Sequence, residues 1–151
     1  MEPGKPDQTD PGEVLVRTGQ SGYYTEITSR GHLTISDEPA GHGGTDRGPS
    51  PYELLAGSLG ACTSITLRMY ADRKKWPLEY VDVYVKHNKI HTEDCKNCES
   101  KNSMIDILER KIKLSGPLSD EQKNRLLEIA VHCPVHRTLT SEIKIRTTLI
   151  K

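Results

Sequence analysis

The chain has 151 residues, of which 34% are hydrophobic and 28% charged, with no Phe. That length fits one domain with its own core, but so lean a composition suits a chain that buries part of its apolar surface in a dimer. The 21 basic and 21 acidic residues cancel without forming a block of one sign, which argues against a nucleic-acid-binding stripe, and no apolar run approaches the roughly 18 residues that span a membrane.

Residues 1–12 are rich in Pro, Gly and charge and lack the apolar region of a signal peptide. They read as a flexible tail ahead of a single domain over 13–151. A cytoplasmic protein is expected. In that compartment four cysteines point to thiol chemistry or metal more than to structural disulfides.

Strands are expected over 13–17 and 23–29, with the turn signal Gly19-Gln-Ser-Gly22 between them, and over 32–36. A glycine-rich stretch over 39–51 reads as a flexible lead-in to a helix, or as a lid. The helix itself has strong start signals. Ser50 is a good N-cap, Pro51 fits the first helical position, and Glu53 falls where a capping box places its carboxylate. Leu55, Leu59, Cys62, Thr66 and Met69 recur at helical spacing and define its expected face. Small residues crowd ahead of Cys62, including Gly57 and Gly60. A helical glycine costs about 1 kcal/mol against alanine, so a close approach by another backbone or by a substrate is expected there. The helix should stop before Trp76-Pro77.

Val81, Val83 and Val85 alternate with Asp82, Tyr84 and Lys86, which predicts a strand over 79–89 with one polar face. The returning strand is expected over 105–114. Ser119 with Gln122 forms a second capping box, opening a helix that runs to His132 with Leu126, Ile129, Ala130 and Cys133 on one face. Cys133 precedes proline, so the helix stops or restarts there. If Pro134 opens a short new helix, Cys133 caps it, where the helix dipole favours thiolate. Alternation over 142–150 predicts a closing strand. The order is α+β rather than βαβ winding.

Cys62 and Cys133 therefore both sit on helical patterns. If those helices pack together the thiols meet, which is the outline of a thiol redox enzyme. Each is also readable as a small buried apolar residue. Two other near-matches fail. Ala56-Gly-Ser-Leu-Gly60 lacks the strand that must precede a nucleophile elbow. The glycine-rich loop over 41–48 lacks the lysine and spacing of a P-loop.

Three segments, Gly48-Pro-Ser-Pro-Tyr-Glu-Leu-Leu55, Leu59-Gly-Ala-Cys62 and Cys133-Pro-Val-His-Arg137, together with the element order, resemble the OsmC/Ohr family of small thiol peroxidases. The resemblance implies an intertwined homodimer in which strongly curved antiparallel sheets wrap two central helices, with active sites at the interface. It implies reduction of organic hydroperoxides or hydrogen peroxide, with Cys62 as the peroxidatic and Cys133 as the resolving thiol. No cofactor is required, and a dithiol, of lipoyl type by analogy, is the expected reductant. In the best-known branches a glutamate-held arginine activates the first thiol. Tyr52 stands where that glutamate belongs, and Glu53 is one residue later, about 100° further round a helix. Arg17, Arg30 and Arg47 lie in the region that supplies the arginine, and Arg47 is favoured.

A second constellation, His91-Thr-Glu-Asp-Cys95-Lys-Asn-Cys98, offers three zinc ligands from His91, Cys95 and Cys98. A local redox disulfide and a pair with no fixed role are the other readings. The runner-up function is a non-catalytic stress or ligand-binding protein of the same fold, with metal or redox chemistry at Cys95 and Cys98.

Overall fold

The computed structural model describes residues 10–91 and 104–150. The chain divides into two units, Met1–Leu55 and Ala56–Lys151. The architecture is α+β with antiparallel sheets.

In the first unit, β1 (Leu15–Thr18), β2 (Thr25–Ser29) and β3 (His32–Ser36) form a three-stranded sheet in that order. The register pairs Val16 with Ile27 and Ile27 with Thr34. Arg30 and Gly31 both have positive φ, which makes the tight β2–β3 turn. The glycine-rich segment that follows is not a free lead-in. Asp37 is fully buried, and its carboxylate accepts from the N–H groups of Glu38, Thr45 and Arg47 and from the Thr45 hydroxyl. The loop folds so tightly that a Cβ on Gly44 would lie 1.8 Å from the Glu38 carbonyl oxygen.

α1 (Pro51–Lys74) starts as its sequence dictates. The Ser50 N–H donates to Glu53 Oε2 at 2.7 Å, and the Glu53 N–H reaches back to Ser50 Oγ at 3.4 Å. Its end is equally specified. Lys75 takes a left-handed φ of 56°, its N–H donates to the Asp72 carbonyl and the Trp76 N–H to the Ala71 carbonyl. This pair of bonds is a Schellman stop, completed by Trp76 packing edge-on against Tyr70.

The second unit packs α1 against β4 (Tyr80–His91), β5 (Met104–Ser115) and α2 (Asp120–Ile129). β4 and β5 pair antiparallel along their full length, from Tyr80 opposite Ser115 to His91 opposite Met104. Val81, Val83 and Val85 are half-buried while Asp82, Tyr84 and Lys86 are exposed, as the alternation predicts. Leu67, Ala71, Leu78, Leu118, Leu126 and Ala130 form the buried core. α2 carries the expected capping box between Ser119 and Gln122. A 3-10 turn (Ala130–His132) follows it, and α3 (Pro134–Leu139) restarts the chain with Cys133 as its N-cap. Among the described residues no helix is long and apolar enough to cross a membrane.

Further expectations need correction. The buried face of α1 is Ala56, Leu59, Thr63, Leu67 and Ala71, not the stripe from Leu55 to Met69. The two stripes share Leu59 but diverge along the helix, so Thr63, Leu67 and Ala71 turn inward while Met69 is 67% exposed. The segment 142–150 forms no strand, because no other described strand offers it backbone partners. Its Ile145 and Leu149 are 88% and 95% exposed. A Cβ on Gly60 would meet Val85 Cγ2 at 3.5 Å and the Val83 carbonyl oxygen at 3.9 Å, ordinary contact distances, and one on Gly57 would meet nothing within 4 Å.

Candidate active site

The site lies within the second unit, where α1, β5 and the start of α3 converge. A helix leaves its first N–H groups without internal partners. In α3 the first position is Pro134, which has no N–H, so the next two are the free donors. The Val135 N–H points at Cys62 Sγ, 3.5 Å away, and the His136 N–H at Cys133 Sγ, 3.3 Å away. One helical turn thus supplies a donor to each sulfur. Both thiols are free, Cys62 half-buried and Cys133 fully buried.

Thr63, one residue beyond Cys62, is also fully buried. Its hydroxyl lies 2.7 Å from the Leu59 carbonyl oxygen and 3.6 Å from Cys133 Sγ, and it accepts from Arg110 Nη1 at 2.8 Å. Arg110 comes from β5, opposite Val85. Burial pushes the Cys133 thiol up, but the His136 N–H, the Thr63 hydroxyl, the Cys62 thiol and the Arg110 charge together outweigh burial and hold it below its ordinary value. Burial, with the Arg110 and His132 charges, lowers the His136 imidazole below its ordinary 6.5. His136 is therefore neutral at neutral pH. A groove of about 590 Å3 adjoins the cluster. Met69, Tyr70, Ile129 and Pro134 give it apolar walls, Thr66, Arg73 and His132 add polar groups, and His132 and Pro134 flank Cys133 in the chain.

Of the expected site residues, Cys62 and Cys133 are brought together. Glu53 holds the Ser50 N–H as a helix cap. The Arg47 guanidinium stacks on the Tyr24 ring, 4.1 Å from its centroid. His91 is exposed at the end of β4, while Cys95 and Cys98 lie outside the described residues. No group of three or more metal-ligating side chains occurs among the described residues. Sequence reasoning missed Arg110 and Thr63. Arg110 had a signal: it falls in the inward phase of β5, between Leu108 and Ile112, where an apolar residue is the rule.

An α+β fold that brings two helical thiols into one hydrogen-bonded cluster defines a dithiol protein. The family model for OsmC-like protein matches residues 43–148, and the chain belongs to that family. Solved structures share the fold at low identity. A protein of Psychrobacter arcticus 273-4, named for the osmotic stress and detoxification response, is 20% identical with a TM-score of 0.66, over 83% of this chain and 85% of that one. An organic hydroperoxide resistance protein of Legionella pneumophila is 18% identical with a TM-score of 0.61, over 87% and 92%. The organic hydroperoxide resistance protein OhrB of Bacillus subtilis is 20% identical with a TM-score of 0.58, over 85% and 89%. No curated protein matches the chain.

Proposed function

We propose that the protein is a thiol-dependent peroxidase that reduces organic hydroperoxides through Cys62 and Cys133. The observation that carries the reading is the thiol cluster itself: two free sulfurs, each facing an N–H of the same helical turn. The names of the Legionella and Bacillus relatives agree with it.

In this reading the reacting pair shares one proton, carried first by Cys62, while the His136 N–H, the Thr63 hydroxyl, the Cys62 thiol and Arg110 hold the Cys133 thiol below its ordinary value against burial. Moving that proton to Cys133 leaves Cys62 as the nucleophile, on the more accessible of the two sulfurs. Cys62 attacks the terminal peroxide oxygen and the O–O bond breaks. The sulfur becomes a sulfenic acid, and the departing alkoxide takes the proton from Cys133 to give the alcohol. The Cys133 thiolate then attacks the Cys62 sulfur. The S–S bond forms as the S–O bond breaks, and the departing hydroxide is neutralised to water by one proton from the buffered solvent. A dithiol, of lipoyl type by family analogy, reduces the disulfide and is itself oxidised to a disulfide. The apolar walls of the groove, which reaches His132 and Pro134 on either side of Cys133 in the chain, support an alkyl hydroperoxide over a small polar one.

In this reading residues 13–151 act as one domain in a cytoplasmic homodimer. The exposed alternation over 142–150, together with the exposed Ile65 and Met69 on α1, supports a second copy as the missing cover. The groove also suits a non-catalytic ligand-binding protein of the same family. Steady-state consumption of cumene hydroperoxide with excess dithiol separates the two readings. The peroxidase reading predicts turnover that Cys62→Ser abolishes, whereas turnover unchanged in Cys62→Ser contradicts it.

A further inference from the structure

We propose that Arg110, acting through the Thr63 hydroxyl, is the positioning cation of the thiol pair and keeps one negative charge on it. Arg110 is half-buried in the inward row of β5 between Leu108 and Ile112, where an apolar residue is the rule. Among the described residues no carboxylate pairs with it. Its Nη1 donates instead to Thr63 Oγ1, 2.8 Å away, and that oxygen lies 3.6 Å from Cys133 Sγ. Through that hydroxyl Arg110 faces a sulfur able to carry the balancing negative charge.

Thr63 is suited to the relay. A hydroxyl has one hydrogen and two lone pairs. Arg110 occupies one lone pair and fixes the oxygen. When Cys133 is a thiol, the Thr63 hydrogen rests on the Leu59 carbonyl, 2.7 Å away, and the sulfur donates to the free lone pair. When Cys133 is a thiolate, the hydrogen turns to the sulfur. The guanidinium polarises the O–H bond and makes it the better donor in that second state. Among the described residues, the groups acting on Cys133 are Cys62 and Thr63 from α1, Arg110 from β5 and the His136 N–H from α3, while His132 acts on the His136 imidazole. His136 is neutral at neutral pH, which leaves Arg110 as the permanent charge among them.

The inference takes from the functional reading only that Cys62 and Cys133 act as a dithiol. Its test reads ionisation rather than peroxide turnover, so either can fail alone. Full-length reduced protein carrying carbon-13 at cysteine Cβ is titrated by NMR, which follows each sulfur without needing access to it. In Arg110→Met and in Thr63→Val, the Cys133 thiolate-to-thiol ratio at a given pH falls about tenfold, a difference of one pKa unit. Arg110→Lys and Thr63→Ser restore most of it. The Arg110→Met/Thr63→Val double variant falls no further than Arg110→Met alone, because the two act as one path. Circular dichroism checks the fold, and Arg110→Gln replaces Arg110→Met if the latter fails to fold. A Cys133 titration unchanged in a folded Arg110 variant overturns the proposal, and one unchanged in Thr63→Val alone overturns the relay.

Discussion

The backbone N–H of Val135 stands 3.5 Å from the sulfur of Cys62, a residue 73 positions earlier in the chain. The contact exists because Pro134 occupies the first position of α3 and Cys133 caps it, so the next free N–H faces outward from the turn. Cys62 and Cys133 are thus held by the same short element, one sulfur on each of two consecutive donors. A thiol pair built this way has its geometry set by α3 and its charge set by what surrounds Cys133.

Removing the resolving thiol should strand the reaction halfway. In Cys133→Ser, a single equivalent of hydroperoxide leaves Cys62 as a sulfenic acid, and excess peroxide carries it on to sulfinic acid. Dimedone labelling followed by mass spectrometry reads the first species directly. Absence of an adduct on Cys62, with peroxide still consumed at the wild-type rate, would place the chemistry elsewhere.

His136 gives the stability a pH slope with a definite sign. Its folded value is lowered from 6.5 by burial, Arg110 and His132. As pH falls through 6.5 the unfolded chain takes up this proton first. Stability therefore declines as pH drops from 6.5 towards the folded value, and is level above that window. Urea unfolding across this range should show a shallower slope in His136→Gln than in the wild type. An identical slope in the two proteins would remove His136 from the account.

Asp37 behaves in the opposite sense. The Thr45 hydroxyl, against the opposing effect of burial and with help from the N–H groups of Glu38, Arg47 and Thr45, holds the carboxyl below its ordinary 3.8. What it contributes to the loop is present above 3.8 and lost as pH falls through the lower folded value. A carbon-13 titration of the side chain should find it below 3.8, and a value at or above this would mean that the loop is held by something else.

The core and caps set two stability expectations. Leu126 is fully buried against Leu67 and Ala130, so Leu126→Ala should cost roughly 2–5 kcal/mol in chemical denaturation. Ser119→Ala removes the side-chain half of the α2 cap and should cost about 1 kcal/mol. Since α2 leads directly into Cys133, a loss near the first figure in the cap variant would show that the cap also fixes the thiol turn.

Local chemistry made much of this molecule legible. The Ser50–Glu53 and Ser119–Gln122 boxes, the stop before Trp76-Pro77 and the Cys133-Pro134 restart are each decided within a few residues, and each has its expected form. What was missed depends on distant partners. Thr63 and Arg110 meet across 47 positions, and nothing local marks Thr63 as buried. The rotated face of α1 has the same cause, because Ala56, Thr63 and Ala71 bury as fully as leucines without looking apolar. Asp37 looked like one more polar loop residue, but three backbone donors converge on it only after the loop has closed. The segment over 142–150 alternates correctly for a strand, yet alternation cannot supply the neighbouring backbone a strand requires.

The most direct test of the central claim is a peptide map of the fully reduced protein after one equivalent of cumene hydroperoxide. The account predicts one Cys62–Cys133 disulfide per chain, formed together with one equivalent of the corresponding alcohol. Cys62 and Cys133 both recovered as free thiols, or Cys62 bridged instead to a cysteine other than Cys133, would contradict it.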